Sequence, residues 1–205
     1  MAVTFPLSLP SVRSSREIEI VGDSVVGMSV SPFTREQQVY VHQGEQWRAR
    51  VMLPAMKRAN AEEWVAFLIA LNGLEGTFLM GDPSASTPRG TWSGGGPLVN
   101  GSSQTGKSMN IDGLTASVTI KKGDWFQLGS GSGSKLHKIV LDVTANGSGQ
   151  AAIDFWPRLR ASPTDNDALT IASPKGVWRL ASNRRDWSIR LAGLYGITFE
   201  AMEAL

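Results

Sequence analysis

The chain has 205 residues, enough for one large or two small domains with a buried core. It contains no cysteine, which excludes disulfides, thiolate zinc sites, iron–sulfur clusters and cysteine nucleophiles. A formal net charge of +2 and a hydrophobic content of 41% are ordinary for a globular protein, and they do not mark a nucleic-acid binder, whose basic residues cluster on one face.

Alternation of apolar and polar residues predicts strands near the start of the chain. The segments with this alternation are residues 16–21, 39–42 and 46–53. In the third segment Trp47 lies on the apolar face, whereas Arg48 and Arg50 lie on the other. Gly44-Glu45, between the second and third segments, is a hairpin turn signal. We therefore predict an antiparallel meander with one buried face.

A helix is predicted for residues 60–72. Asn60 suits the N-cap, and Glu63 three residues later completes a pattern like a capping box. Gly73 follows where a left-handed helix terminator belongs. The apolar side chains recur at helical spacing and form a wide arc: Trp64, Val65, Phe67, Leu68, Ile69 and Leu71. A surface helix usually has a narrower stripe, so this helix is either packed deeply on its own sheet or also covered by a neighbouring subunit.

Short strands separated by turn signals predict a β-rich remainder. The predicted strands are residues 76–80, 125–128, 136–143, 150–156, 186–191 and 195–202. Asn146-Gly147 marks a turn and Pro157 a stop within a compact β-unit, residues 123–163. Residues 84–106 are rich in Ser, Gly, Pro and Thr, which is typical of a linker or a long exposed loop.

The two outer parts of the chain share amphipathic strands with Trp and Arg at alternating positions, whereas the middle is richer in Gly, Ser and Thr. We therefore predict one discontinuous domain, residues 1–82 plus 175–205, which carries an inserted small β-domain, residues 83–174, with its Gly/Ser-rich linker. The predicted fold class is mainly β with one α-helix.

No targeting segment is apparent. Residues 1–17 lack a basic n-region and are broken by Pro6 and Pro10, so they make a poor signal peptide. No apolar run approaches the roughly 18–20 residues that a membrane-spanning helix needs. We expect a chain that is made in the cytoplasm, is soluble there and does not insert into a membrane.

One motif fits the Walker A pattern letter for letter, at residues 101–108. In a P-loop Lys107 would reach the β- and γ-phosphates and Ser108 would hold Mg²⁺, and residues 139–142 look like a Walker B strand. A P-loop must lie between a buried strand and a helix, but Gly113 would interrupt that helix within two turns. We interpret the motif as part of a Gly/Ser-rich loop.

Other candidates for chemistry are weaker. His42 and His137 each lie in an alternating strand pattern without a second ligand at metal-binding spacing, which favours a strand-face histidine. Residues 165–167 are acidic or amide, but they lack the terminal glutamate of an EF-hand and suit an exposed turn. A Ser–His–acid triad formed in space stays open, although no G-x-S-x-G elbow supports it. We expect no catalytic residue, cofactor or metal.

Tryptophans are frequent, and four of them suggest an aromatic platform for sugars or bases: Trp92, Trp125, Trp156 and Trp178. Because Trp125 and Trp156 lie in predicted strands, packing in a core or an interface is the favoured explanation. The arginines near the strands either form pairs between subunits or keep the surface solvated: Arg48, Arg50, Arg184, Arg185 and Arg190.

Several turn- and strand-defining segments resemble tail proteins of tailed bacteriophages and prophages, most closely the distal tail (baseplate hub) proteins of long, flexible-tailed phages. These segments are Gly76–Pro83, Val99–Gly101, Gln104–Gly106, Gly123–Trp125, Gln127–Gly129 and Asp154–Pro163. The resemblance spans roughly residues 76–205, and residues 1–75 match only in general character.

The resemblance implies a fold, a function and partners. One domain would be a β-sandwich flanked by a helix, similar to the tail tube protein, and a second small β-domain would be a barrel or sandwich. The chain would be a structural virion protein, not an enzyme, that forms a hexameric ring at the distal end of the tail and joins the tube to the tip. Its partners would be copies of itself, the tail tube protein and tip or hub proteins, and DNA would pass through the lumen without specific binding.

Two alternatives come from other functional classes. The inserted domain could be a host-surface carbohydrate-binding module of the tail tip, or the chain could be a P-loop NTPase or glycan hydrolase. For the structural ring subunit, the predicted subunit interface combines the helix with two arginines: Trp64, Val65, Phe67, Leu68, Ile69, Arg48 and Arg50.

Overall fold

The computed structural model describes residues 3–12, 17–191 and 193–205. Arg16, which begins the first predicted strand, and residues 1, 2 and 13–15 of the segment assessed as a signal peptide lie outside the described residues. The described part is mainly β with a single α-helix, and it combines a sandwich-like packing with a smaller, nearly closed barrel-like sheet. This confirms the predicted fold class.

The strands run through the whole chain. In chain order they are β1 (Leu7–Ser8), β2 (Glu17–Asp23), β3 (Val26–Val30), β4 (Gln37–Val41), β5 (Gln46–Met52), β6 (Met56–Lys57), β7 (Phe78–Met80), β8 (Leu98–Val99), β9 (Ser108–Asp112), β10 (Thr119–Ile120), β11 (Trp125–Leu128), β12 (Lys135–Ile139), β13 (Val143–Thr144), β14 (Ala151–Trp156), β15 (Leu169–Thr170), β16 (Gly176–Leu180), β17 (Trp187–Ile189) and β18 (Leu194–Glu203). The helix α1 spans Arg58–Ala70, and single 3₁₀ turns span Trp92–Gly94 and Gly131–Gly133.

The larger sheet joins both ends of the chain. Its strand order is β1-β7-β16-β18-β5-β2, and β6 and β17 also pair with β18. Trp47, Ala49 and Val51 of β5 are buried on one face, whereas Arg48 and Arg50 are exposed on the other, as the alternation predicts. The helix packs on the buried face, and this layering forms the core beneath the sheet.

The helix begins earlier than predicted. Its first residue is Arg58, and extended Lys57 occupies the N-cap position, so the prediction of Asn60 as N-cap is wrong. The Arg58 guanidinium pairs with the Glu62 carboxylate one turn on, at 3.2 Å, which supports the first turn. At the other end Leu71 is the C-cap, and the left-handed conformation begins at Asn72 with φ 49° and continues at the predicted Gly73 with φ 71°.

The predicted meander is wrong. β4 pairs with β3 and not with β5, and β5 instead lies between β18 and β2. Val39 and Val41 are exposed, so this strand contributes nothing to the buried face that the alternation predicted. A period of two marks an amphipathic strand, but it does not say what covers the apolar side.

The smaller sheet has the strand order β15-β11-β12-β14-β9-β8, beside a two-stranded ribbon of β10 and β13. The predicted strand 125–128 is confirmed, and β14 ends at Trp156 before the predicted stop at Pro157. The predicted strand 136–143 is split, because β12 ends at Ile139 and β13 begins at Val143. Phe126, Ile153 and Phe155 lie at the centre of a second core.

The two sheets draw on different parts of the chain. The larger sheet uses strands before residue 81 and after residue 175, whereas the smaller sheet uses residues 98–170. The sheets also share packing, because Trp125 and Leu136 of the smaller sheet are buried in the core of the larger one. The division into a discontinuous domain and an inserted domain stays a prediction.

Candidate assembly surface

A β-hairpin, here called the arm, spans residues 25–42. Its strands β3 and β4 pair in register from Val26 opposite Val41 to Val30 opposite Gln37, and the His42 N–H donates to the Val25 carbonyl at 2.9 Å. Within the described ranges, neither strand joins another sheet. The arm is therefore a two-stranded ribbon, a structure that is only marginally stable by itself in water.

The arm has one apolar and one polar face. Directly opposed residues of an antiparallel pair lie on the same face, and faces alternate along each strand. The apolar face carries Val26, Met28, Val30, Val39 and Val41, with Gln37 at its end, and the other face carries Gly27, Ser29, Gln38 and Tyr40. The five apolar side chains are between 43% and 70% exposed.

An apolar face of this kind gains stability when another surface covers it. Fully burying a valine- or methionine-sized side chain stabilises by about 1.5–3 kcal/mol, and roughly half of each of the five side chains still meets water. Covering the face would contribute on the order of 5 kcal/mol. Contiguous exposed apolar patches of this size mark interaction surfaces.

The tip of the arm is an ordered loop that presents one aromatic side chain. The Ser31 N–H donates to the Glu36 carbonyl at 2.9 Å, and the Arg35 N–H donates to the Ser31 carbonyl at 3.0 Å. The Ser31 hydroxyl oxygen accepts the Thr34 N–H at 3.2 Å. Phe33 lies within this loop and is 94% exposed. The loop is thus held in shape while its largest apolar group faces solvent.

A second apolar extension is formed by β17, which pairs with the start of β18. Trp187 lies opposite Ile197 and Ile189 lies opposite Tyr195. Ile197 and Tyr195 are buried, but Trp187 and Ile189 are exposed, so the apolar face continues beyond the core. The described residues therefore include a second exposed apolar surface besides the arm.

The predicted interface residues fall into two groups. Trp64, Val65, Phe67 and Leu68 are buried in this chain's own core. The wide apolar arc of the helix therefore reflects deep packing on its own sheet, and these four side chains present no free surface to a neighbour. Ile69, Arg48 and Arg50 are exposed, and Arg48 pairs with Asp23.

The arm was missed as a site because its signal is weak in sequence. Its strand β4 alternates like a buried strand, and β3 contains Gly27 and Ser29, which favour turns as much as strands. The Pro32 at the tip was the one local signal of a hairpin loop between two apolar segments.

The four tryptophans considered as an aromatic platform are structural. Trp92, Trp125 and Trp178 are buried, and Trp156 packs partly buried against Gly22. The Lys138 ammonium lies 4.4 Å from the centroid of the Trp125 ring. None of these four rings in the described structure is an open platform, which confirms core packing as their explanation.

Asp124 organises the loop that carries Trp92. Its carboxylate is buried and accepts the Arg89 N–H at 2.6 Å, the Gly90 N–H at 3.1 Å and the Trp92 indole N–H at 3.0 Å. These donors satisfy the buried charge. The carboxylate therefore acts as a structural anchor.

The Walker A segment is not followed by a helix. Residues 108–112 form β9, so no helix N-terminus lies behind the loop to bind phosphate. Lys107 instead pairs with the buried Glu45 carboxylate, which also accepts the Arg158 N–H at 2.9 Å. Burial raises the pKa of Glu45, but the hydrogen bonds from Lys107 and Arg158 outweigh it and hold the pKa below its usual value. The lysine is a structural contact between the sheets.

His137 is buried and stacked on Phe126, with ring centroids 5.1 Å apart. Its Nδ1 lies 2.8 Å from the Pro157 carbonyl oxygen, so the ring donates there in its neutral form. Burial lowers the pKa of His137 to about 4. His42 is exposed at the base of the arm, and no group of three or more acidic or histidine side chains with metal-site geometry occurs in residues 3–12, 17–191 and 193–205.

No family model matches the chain, and no curated protein matches its sequence. The helix of the described structure is too short to span a membrane.

Proposed function

We propose that this chain is a structural subunit of a phage virion, which assembles into a hexameric ring at the distal end of the tail and joins the tail tube to the tip. Its neighbours would be the tail tube protein and tip or hub proteins. The resemblance of residues 76–205 to distal tail proteins supports this place in the particle, and the arm supports self-association.

The exposed apolar face of the arm is the observation that carries the proposal. A ribbon of two strands gains the cover it needs when another copy packs on that face. The arm and the β17 extension are different surfaces, and contact between different surfaces of identical chains is heterologous. Heterologous contacts close into rings when the rotation between copies allows it.

The outer face of the larger sheet is compatible with a lumen that conducts DNA without binding it. On this face Arg50 lies between Glu19 of β2 and Glu200 of β18. Binding to DNA without sequence preference depends on basic side chains that neutralise phosphates, and the flanking glutamates oppose that attraction. A face of alternating charge would let DNA pass.

The first test is the mass of the unmodified protein over a range of concentrations, by size-exclusion chromatography with light scattering, together with micrographs of the same sample. We expect ring-shaped particles with the mass of a cyclic oligomer. A protein that stays monomeric at all concentrations, alone and with isolated tail tubes, would contradict the proposal.

A matched pair of variants tests the arm. Met28 and Val39 lie directly opposite each other on the apolar face, and Ser29 and Gln38 do so on the polar face. Met28→Lys/Val39→Glu adds one positive and one negative charge to the apolar face. Ser29→Glu/Gln38→Lys adds the same two charges to the polar face. We expect the first variant to lose the assembly and the second to retain it.

A further inference from the structure

A cleft opens in the larger sheet where β16 and β17 both pair with β18 but in different registers. Residues 181–186, between the two strands, lie opposite only residues 198–200 of β18. Such a surplus bends the segment away from its partner strand as an extended bulge. The opening, here called the β18 cleft, has a volume of about 320 Å³.

The β18 cleft combines an apolar floor with a charged rim. Leu68 of the helix, Leu180 and Phe199 are buried side chains that line it from within. The charged side chains of the rim are all exposed: Arg184, Arg185 and Asp186 of the bulge, Arg50 of β5 and Glu200 of β18. Arg184 and Asp186 approach each other at 3.4 Å, but an exposed pair of this kind contributes little and is readily exchanged.

We propose that the β18 cleft receives Phe33 from the arm of a second copy of this chain. The inference rests on the proposed self-assembly and specifies its contact. Phe33 is 94% exposed on a hydrogen-bonded loop, so it is presented before binding and little ordering is lost on contact. An aromatic anchor in an apolar pocket is the usual centre of a strong protein interface.

The charges on the two surfaces are complementary. Arg35 and Glu36 follow Phe33 by two and three residues on the arm, and both are exposed. With Phe33 seated on the apolar floor, Glu36 meets Arg184 and Arg185 while Arg35 meets Asp186. Complementary rim charges set the orientation and rate of association more than its strength.

The cleft is large enough for one aromatic side chain. A volume of about 320 Å³ lies at the lower end of the range of roughly 300–1,000 Å³ for small-molecule sites, and the cleft opens directly to the surface. The arm of the same chain does not fill it, because Phe33 remains exposed. The contact therefore joins different surfaces of two copies, as a ring requires.

Cross-linking between copies tests the seating directly, because the chain has no cysteine of its own. Thr34→Cys places a thiol beside Phe33 without removing it, and Thr198→Cys places one in the cleft lining. We expect a mixture of the two variants to form a covalent heterodimer under oxidation or with a short bis-maleimide. Ser148→Cys, in an exposed turn of the smaller sheet, replaces Thr198→Cys as the control and should not cross-link with Thr34→Cys.

Dilution measurements on variants supply a second readout. Phe33→Ala removes an exposed side chain, so it leaves folding intact and should weaken association by at least about 30-fold, the effect of a central interface residue. Glu36→Lys should weaken association several-fold, and Glu36→Lys/Arg185→Glu in one chain should restore it. The loss caused by Phe33→Ala measures the apolar anchor, and the loss and recovery at Glu36 and Arg185 measure the orienting charges.

The results distinguish the binding of Phe33 in the β18 cleft from the association of the chain as such. A ring that tolerates Phe33→Ala and gives no cross-link between positions 34 and 198 would overturn the seating and leave the proposed function standing. A chain that never associates would overturn both.

Discussion

Trp47 packs edge to face against Trp156, with ring centroids 4.3 Å apart, and thereby joins the larger sheet to the smaller one. The Trp47 indole N–H also donates to the Leu136 carbonyl at 2.9 Å. Trp125 completes the cluster at 4.9 Å from Trp47. A single buried side chain of β5 therefore makes both an apolar and a polar contact between the sheets.

We predict that Trp47→Ala lowers the free energy of unfolding by about 3–5 kcal/mol, because it leaves a cavity between the sheets. Trp47→Phe should cost less, since it keeps much of the volume and loses one hydrogen bond. Urea denaturation followed by circular dichroism measures both values. Leu191→Ala, at a fully exposed side chain, is the control and should change stability by no more than about 0.5 kcal/mol. Equal losses at the two positions would contradict the bridging role.

The charged pair of Arg160 and Glu203 forms another contact between the sheets. An Arg160 terminal nitrogen donates to the buried Glu203 carboxylate at 2.8 Å. The Arg160 Nε and the other Glu203 oxygen have no hydrogen-bond partner within the described part of the chain. The pair is thus incompletely satisfied, which limits its net contribution.

We predict that Glu203→Met alone lowers the free energy of unfolding by about 3–5 kcal/mol, because it leaves the Arg160 charge buried without its partner. Arg160→Met/Glu203→Met should recover most of that loss, since two apolar side chains replace both charges. Denaturant titrations of the single and double variants give the comparison. The backbone N–H of Trp47 also donates to the Glu203 carboxylate. A double variant as unstable as the single one would show that the loss of this hydrogen bond matters more than the unpaired charge of Arg160.

The sequence was sufficient for the fold class and for most strands that lie over a core. Alternation located β5 and β18, and turn residues located β11 and the end of β14, because these signals are local. The helix start was missed, since Lys57 adopts the N-cap conformation without a capping side chain. The pairing of β4 was missed because register and partner choice depend on distant strands.

The N-cap position of the helix is occupied by Lys57, and substitution there tests what stabilises the helix start. Lys57 is extended, with φ −71° and ψ 157°, and among the described residues its side chain makes no capping hydrogen bond. Lys57→Asp should raise the free energy of unfolding by about 1 kcal/mol, because aspartate accepts a free N–H and suits the positive helix end. Lys57→Ala removes only the unfavourable charge and should stabilise less. Thermal and urea unfolding of both variants provide the measurement, and equal effects would contradict capping.

Acid sensitivity should come from His137. Its pKa is about 4 in the folded chain and near 6.5 when unfolded, so the unfolded state binds a proton first as the pH falls. Stability is therefore complete above pH 6.5 and is lost progressively down to pH 4. We predict a loss of about 2 kcal/mol between pH 7 and pH 5.

His137→Asn should remove this dependence on pH between 7 and 5, although it lowers stability overall. Urea titrations at several pH values measure the slope. His42→Asn changes an exposed ring at the base of the arm and should leave the slope unchanged. A slope that survives in His137→Asn would assign the acid sensitivity to other groups.

The candidate site was less predictable than the fold. The sequence predicts an interface on the helix, because a wide apolar arc looks alike whether its own sheet or a neighbour covers it. The structure buries Trp64 and Phe67 within the chain and exposes Val39 and Met28 instead. Exposure of an apolar face follows from the absence of a covering layer, and that depends on the topology of the whole chain.

Labelling of the arm tests the central proposal, that another copy covers its apolar face. Val39→Cys places a thiol on the apolar face, and Gln38→Cys places one on the polar face of the same strand. In concentrated, assembled protein we expect maleimide to label the Val39→Cys thiol at least tenfold more slowly than in dilute protein, while the Gln38→Cys thiol reacts quickly in both. Equal and concentration-independent labelling of the two thiols would contradict the account.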